Sequence, residues 1–319
     1  MAYGIIFDLD GTLADTIDDL KTAVNNMLSI LGYESRTKFE IINFINRGAR
    51  ELIRRSLPTT VQSEDFIVDS ALHIYELEYE KCYCDKTAPF PGIKEAVAEL
   101  KAKKFKVGVL SNKQDVFVKT IIYKLFGTDT FDFVLGKTDM PHKPDPKSSI
   151  FVAKEMGVKP NKCIFVGDSD VDMHTAQNAD MRAIGVSWGY RKPEVLIENG
   201  ANYIAETPAQ LVEHATELVR IIKLEKKMNR KKRRTTAPAP VEVKEEEPNS
   251  DIVTDSLNVE IKPLVDPINE NSEQINASAV STEIQAENTS ESNIENKSES
   301  NNQNGENIAA EVKKNTETE

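Results

Sequence analysis

Four short stretches of this 319-residue chain gather carboxylates, hydroxyls and a lysine where apolar runs end. They are Asp8-Leu9-Asp10-Gly11-Thr12, Ser111-Asn112, Lys143-Pro144-Asp145-Pro146 and Gly167-Asp168-Ser169-Asp170-Val171-Asp172. Asp8 and Asp10, separated by one residue on an extended segment, point the same way, so one can attack while the other manages a proton. Brought together, the four stretches form a site of four or five carboxylates, a hydroxyl and one lysine. Carboxylates crowded this closely repel one another unless a hard cation neutralises them, and one or two carboxylates plus substrate oxygens is the usual Mg²⁺ arrangement. The implied chemistry is phosphate handling at a Mg²⁺ site.

Taken singly, each stretch has a plain structural explanation. Gly11 supplies a positive φ to a strand-to-turn segment, Ser111 and Asn112 suit turns and helix caps, and Asp168 and Asp172 suit a helix N-terminus. The inference rests on their order and on the elements that must carry them. Short apolar runs at 4–9, 106–110, 133–135, 162–166 and 182–186 read as strands, and 114–125, 147–156 and 170–179 have helical spacing between the last four. Apolar strands alternating with helices predict a Rossmann-like parallel sheet with helices on both faces, which binds ligands beyond the carboxyl ends of its strands.

The interval between the first two strands breaks the alternation and holds only helical patterns. Leu20, Val24, Met27, Leu28 and Leu31 form one stripe, and Leu72, Tyr75, Tyr79 and Tyr83 another. This predicts an inserted helical domain at 15–85 within an α/β core of 1–14 and 86–222, with Pro91 near the start of the helix after the return. A last helix is expected at 208–223, with Leu211, Ala215, Leu218, Val219 and Ile222 on one side.

Charge divides the rest. Of 40 Lys+Arg and 52 Asp+Glu, residues 235–319 hold 5 and 19, so the net charge of -12 belongs to the tail. That segment has no Phe, Tyr or Trp and too little apolar surface to offset its ordering entropy, which predicts an acidic disordered tail. Between it and the core, 223–234 carries eight basic residues and one Glu, enough to attract an anionic partner, though no aromatics interleave to stack bases. The tail's own partner is unspecified. No apolar run reaches the roughly 20 residues of a membrane span, and no secretory leader precedes Asp8. Cys82, Cys84 and Cys163 show neither disulfide nor zinc spacing, and the expected location is the cytoplasm.

The four motifs resemble those of the haloacid dehalogenase superfamily of phosphohydrolases over about residues 1–222. Asn46-Arg47-Gly48-Ala49 and Gly185-Val186-Ser187-Trp188-Gly189-Tyr190-Arg191 are similar to the phosphoglycolate phosphatase branch with a helical cap. The resemblance implies that Asp8 attacks phosphorus and forms an aspartyl-phosphate, while Asp10 protonates the leaving oxygen and later deprotonates water. It further implies that Ser111 and Asn112 bind phosphoryl oxygens, that Lys143 offsets their charge, and that Thr12 belongs to the substrate-binding set. Mg²⁺ would be held by Asp8, the Asp10 carbonyl and Asp168, with Asp172 supporting the shell. Asp10 favours phosphate esters over halides, since a halide leaves without a proton.

Specificity is expected from the cap, with Arg47, Gly48 and Arg50 as candidates: glycine admits close backbone approach and arginine can hold a carboxylate or second phosphate bidentately. The expected substrate is a small phosphorylated metabolite, 2-phosphoglycolate first. Alternatives are a phosphosugar mutase or pyrophosphatase of the same fold, or a tail-centred binding protein whose enzyme domain is vestigial. Asp180, where such relatives commonly carry Gly, is expected to accept a left-handed helix end.

Overall fold

The computed structural model describes residues 2–235, so the acidic tail expected at 235–319 lies, beyond Thr235, outside the described residues. Six strands form one parallel sheet: β1 (Tyr3–Phe7), β4 (Phe105–Gln114), β5 (Phe133–Lys137), β6 (Cys163–Gly167), β7 (Arg182–Val186) and β8 (Tyr203–Ala205). Their spatial order is β5-β4-β1-β6-β7-β8. The order reverses at β1, so the chain leaves the sheet on opposite sides there and opens a crevice beyond the strand ends.

The strands are mainly apolar, with polar residues towards their ends, because both faces are covered. Ile5 and Phe7 enter one hydrophobic cluster and Ile6 another; Ile164 and Val166 likewise oppose Cys163 and Phe165. The first cluster includes Val97 and Leu100 of α5 (Ile93–Ala102), Ile121 and Ile122 of α6 (Asp115–Phe126) and Leu211 and Leu218 of α10 (Pro208–Thr235). The second includes Val152 of α7 (Pro146–Glu155), Met173 of α8 (Asp170–Asn178) and Leu196 of α9 (Pro193–Glu198). Asp180, after α8, has φ +54°, the left-handed conformation expected of it.

A two-stranded antiparallel ribbon, β2 (Ala14–Asp15) with β3 (Ala88–Pro89), carries the chain out of the sheet and back. Between its strands lie α1 (Ile17–Leu31), α2 (Lys38–Phe44), α3 (Ala49–Ser56) and α4 (Asp65–Cys82), which share a separate core. Leu20, Val24, Met27, Leu28 and Leu31 are buried, as are Tyr75 and Tyr79, whose rings stack at 5.6 Å. Asp19, buried on α1, accepts from Lys86 N, Thr87 N and Thr87 Oγ1, fastening the returning chain to the helices.

The last helix does not stop at 223. It continues through the basic segment to Thr235, because Lys, Arg, Glu and Met are good helix formers and the first proline is Pro238. Residues 223–229 are exposed, and Arg182 pairs with Glu225 through two contacts of 2.7 and 2.8 Å. The three cysteines are free, and among the described residues no helix is long and apolar enough to cross a membrane.

Candidate active site

Asp8 follows directly on β1, and its backbone N–H extends the pairing with β6 by donating to Val166 O at 2.9 Å. The next turn folds tightly: Thr12, Leu13 and Ala14 all donate to Leu9 O. Gly11 sits in it at φ +84°, and a Cβ there would fall 2.4 Å from Asp168 Oδ2, so conformation and space both demand glycine. The first and fourth loops are thereby pressed together.

The second and third loops meet through Asn112, in the irregular end of β4. Its Oδ1 accepts from Lys143 N at 2.9 Å and its Nδ2 donates to Lys143 O at 3.0 Å and to Asn46 O at 3.1 Å. This grips the Lys143 backbone from both sides and aims its side chain into the crevice. Lys143 Nζ stands 2.7 Å from Asp172 Oδ1, to which it donates, and 2.8 Å from Asp8 Oδ1. Burial opposes charge on this lysine, but Asp172 and Asp8 outweigh it and hold its pKa above the ordinary lysine value.

Asp172 is committed at both oxygens, since Oδ2 accepts from Ser169 N and Ser169 Oγ in the capping box that starts α8. Asp168, fully buried, accepts from Thr12 Oγ1 at 3.3 Å and from Tyr190 N at 2.7 Å. Burial, then the neighbouring Asp172, pushes its pKa up to about 7. Burial also raises that of Asp8 well above the carboxylate range, against the pull of Lys143. Asp8 Oδ1 makes its ion pair with Lys143 without receiving a well-aligned hydrogen bond, leaving a buried oxygen short of a donor.

These features fit a divalent cation. Carboxylate oxygens of Asp8, Asp168 and Asp172 lie within 4.8 Å of one another, all buried, with one ammonium among them. An all-oxygen donor set suits a hard ion, and a cation would satisfy the orphaned oxygen and lower both raised pKa values.

Above this floor lies a cavity open to solvent, of about 590 Å³ with its open mouth included. Asp8, Ser111, Asn112 and Lys143 line its base, and Leu20, Ile45, Asn46, Gly48, Leu52, Tyr75, Glu76 and Tyr79 its helical side. Gly48, at φ +89°, caps α3 and lines the cavity. The two cap arginines do not. Arg47 is half-exposed and pairs with Asp170 at 3.0 Å, while Arg50 is held by Asp65 and Asp69 at 2.7 Å each. Thr12 is likewise outside the lining, beneath Asp168.

Three features escaped the sequence reading. Lys113, only 7% exposed, pairs with Asp10 Oδ1 at 2.9 Å and donates to Tyr79 OH at 2.8 Å. Gln114 donates to Glu76, whose burial raises its pKa. Tyr190 accepts from Thr16 N and donates to Asp15, both at 2.9 Å, bracing the start of the helical insertion against the sheet. The signal for Lys113 was present, as the residue directly after Ser111-Asn112 at a strand's carboxyl end.

A parallel sheet reversed at its first strand, with acidic loops converging beyond its strand ends, defines a protein of the Rossmann-like α/β class with an acidic site at its switch point. The chain belongs to the haloacid dehalogenase-like hydrolase family, whose model matches residues 5–186, and to its phosphoglycolate phosphatase-like branch. It is accordingly a phosphoric monoester hydrolase. A phosphoglycolate phosphatase of Psychrobacter arcticus is 35% identical over 192 residues, 58% of this chain and 84% of that protein. The crystal structure of a candidate phosphoglycolate phosphatase from Lactobacillus delbrueckii subsp. bulgaricus superposes with TM-score 0.63 and 31% identity, covering 67% of this chain and 99% of that one. A β-phosphoglucomutase of Clostridium difficile gives TM-score 0.58 at 25% identity, covering 70% and 100%.

Proposed function

We propose that this phosphatase is Mg²⁺-dependent and hydrolyses small phosphomonoesters, 2-phosphoglycolate foremost, to the alcohol and phosphate. The observation that carries the reading is Asp8 itself: a buried carboxylate facing the cavity base, short of a donor, with Lys143 beside it and Asp10 two residues on. The curated relatives named for phosphoglycolate support the choice of substrate.

In this mechanism an Asp8 oxygen attacks phosphorus in line with the ester oxygen and forms an aspartyl-phosphate. Asp10 protonates the departing oxygen, then takes a proton from the water that cleaves the acyl phosphate. Ser111 Oγ and the Asn112 N–H hold phosphoryl oxygens, and Lys143 offsets charge gathering on them. Asp8, the Asp10 carbonyl and Asp168 would hold the metal, with Asp172 behind them; bound there, Mg²⁺ supplies neutralisation of the phosphoryl charge. Residues 15–85 serve as the cap over the core, and its helices keep bulk water from the acyl phosphate.

The test is initial-rate phosphate release, with and without Mg²⁺, over 2-phosphoglycolate, pyrophosphate, hexose phosphates and nucleoside monophosphates. A Mg²⁺-dependent preference of about a hundredfold for 2-phosphoglycolate is expected, some 2.7 kcal/mol of differential transition-state binding. The likeness to β-phosphoglucomutase favours one rival, transfer of the phosphoryl group to another substrate hydroxyl. Phosphate on a new carbon of a hexose phosphate, and none free, would replace the hydrolase reading with that one.

A further inference from the structure

The cavity must distinguish one leaving group from another, and its charged lining is sparse. Among the lining residues only Lys113 and Lys143 are cationic. Lys143 is committed to Asp8 and Asp172 on the floor, and the cap arginines are drawn off by Asp170, Asp65 and Asp69. Lys113 alone is placed on the leaving-group side, because its contacts are Asp10, the proposed acid for that oxygen, and Tyr79 of α4.

We propose that Lys113 is the anchor for a carboxylate carried by the leaving group, and so sets the enzyme's preference for esters of small hydroxy acids over uncharged alcohols. The inference rests on the phosphatase reading above and specifies its substrate side.

Distance supports the assignment. A general acid works within about 2.6–3.2 Å of the atom it protonates. Lys113 Nζ is 2.9 Å from Asp10 Oδ1, which also accepts from Thr16 Oγ1, so the ammonium falls about 6 Å from the ester oxygen when Oδ1 delivers the proton and about 8 Å when Oδ2 does. In phosphoglycolate one methylene separates that oxygen from the carboxylate, which therefore lies within reach of a charge-assisted contact. Of the three N–H donors of the ammonium, one goes to Tyr79 OH while Asp10 pairs with the charge, which leaves donor capacity for substrate. The Tyr79 ring, 4.7 Å from Nζ, fixes the side chain from the cap side, and at 7% exposure the charge is little screened by water. Tyr75, Leu20, Ile45 and Leu52 add apolar surface, and the one uninvolved carboxyl of the lining, Glu76, is taken up by Gln114.

The experiment compares the full chain and Lys113→Met on two substrates, 2-phosphoglycolate and 2-hydroxyethyl phosphate, which has a hydroxymethyl group in place of the carboxylate. Wild type should prefer phosphoglycolate. Lys113→Met should lose about 100-fold in kcat/KM on phosphoglycolate, chiefly through KM, and less than about 5-fold on the uncharged ester. Lys113→Arg should recover part of the loss on phosphoglycolate alone. Equal losses on both substrates would mean that Lys113 serves only to place Asp10 or the cap, and would overturn the assignment while sparing the phosphatase reading. A variant that keeps the wild-type preference would overturn it too. Wild type that cleaves the uncharged ester and ignores phosphoglycolate would remove the substrate reading and the anchor together.

Discussion

The floor of the site and the helical wall above it are built on different terms. On the floor, most charged groups have two constraints: Asp172 serves Lys143 and a helix cap, Lys143 is held at its backbone by Asn112, and Asp168 is wedged against Gly11. On the wall, charge is spent outward, with Arg47, Arg50 and Arg54 pairing at the surface, and the cavity side is mostly Tyr, Leu and Ile. A buried floor of this kind fixes one chemistry, while an apolar wall leaves recognition to a few polar side chains. Changes to the floor should therefore alter rate, and stability as well wherever they strand a buried charge, and changes to the wall's outer face should alter neither.

The largest effect is expected at Asp8, the proposed nucleophile. Asp8→Asn should lower kcat by about 10⁴-fold or more, because the remaining groups have nothing to deliver to phosphorus. Its melting temperature should not fall, since the substitution removes a carboxylate whose ionisation burial opposes. Steady-state kinetics with differential scanning calorimetry tests both; substantial turnover in the variant would refute the covalent mechanism.

Lys143→Met should come next, coupling the two properties most tightly. Removing one partner from a fully buried cluster strands Asp8 and Asp172 without a counter-charge, which costs about 3–5 kcal/mol. Urea unfolding measures that loss, and Mg²⁺ should recover part of it. A variant as stable as wild type in EDTA would show that water already screens the cluster.

The same contrast governs how much could be read before the structure was known. The floor was legible because strand ends fix direction: once Gly4, Ile5 and Ile6 read as a parallel strand, Asp8 had to stand at its carboxyl edge. The wall was not, because a helix can present a residue on any side. Leu52, Ile53 and Ser56 mark the buried face of α3, and at 3.6 residues per turn Arg50 lies roughly 115° from its centre, facing out. That phase was available in the sequence but was outweighed by the chemistry expected of an arginine. Strands β2, β3 and β8 escaped notice because two or three residues cannot display an alternating period.

A smaller, graded effect should appear with pH. Asp168 has a pKa of about 7 in the folded chain against an ordinary 3.8. Between those values the folded state keeps a proton that the unfolded state has lost. The stability from this group is therefore full below about pH 4 and is lost as pH rises through 7, with a ceiling on the order of 4 kcal/mol. Urea titrations in EDTA from pH 4.5 to 7.5 should show wild type losing ground steadily to Asp168→Asn, and saturating Mg²⁺ should remove the wild-type slope. A difference between the two proteins that does not vary with pH would mean that Asp168 is already ionised.

The smallest effect tests the wall. Arg50→Ala should leave kcat and KM within about twofold of wild type, because its partners are exposed carboxylates on the far side of α3 and exposed pairs contribute little. Arg47→Ala differs in one respect: its pair with Asp170 joins the helical insertion to the loop that carries Asp168. Loss of that tie should raise KM by no more than about threefold and leave kcat alone, since Asn112 with Asn46 and Arg191 with Ile42 still bridge the two parts. The double variant should show the product of the single effects, as the two arginines share no partner. A loss of tenfold or more on 2-phosphoglycolate for either arginine would return carboxylate recognition to the cap and make the outer face of the wall part of the site.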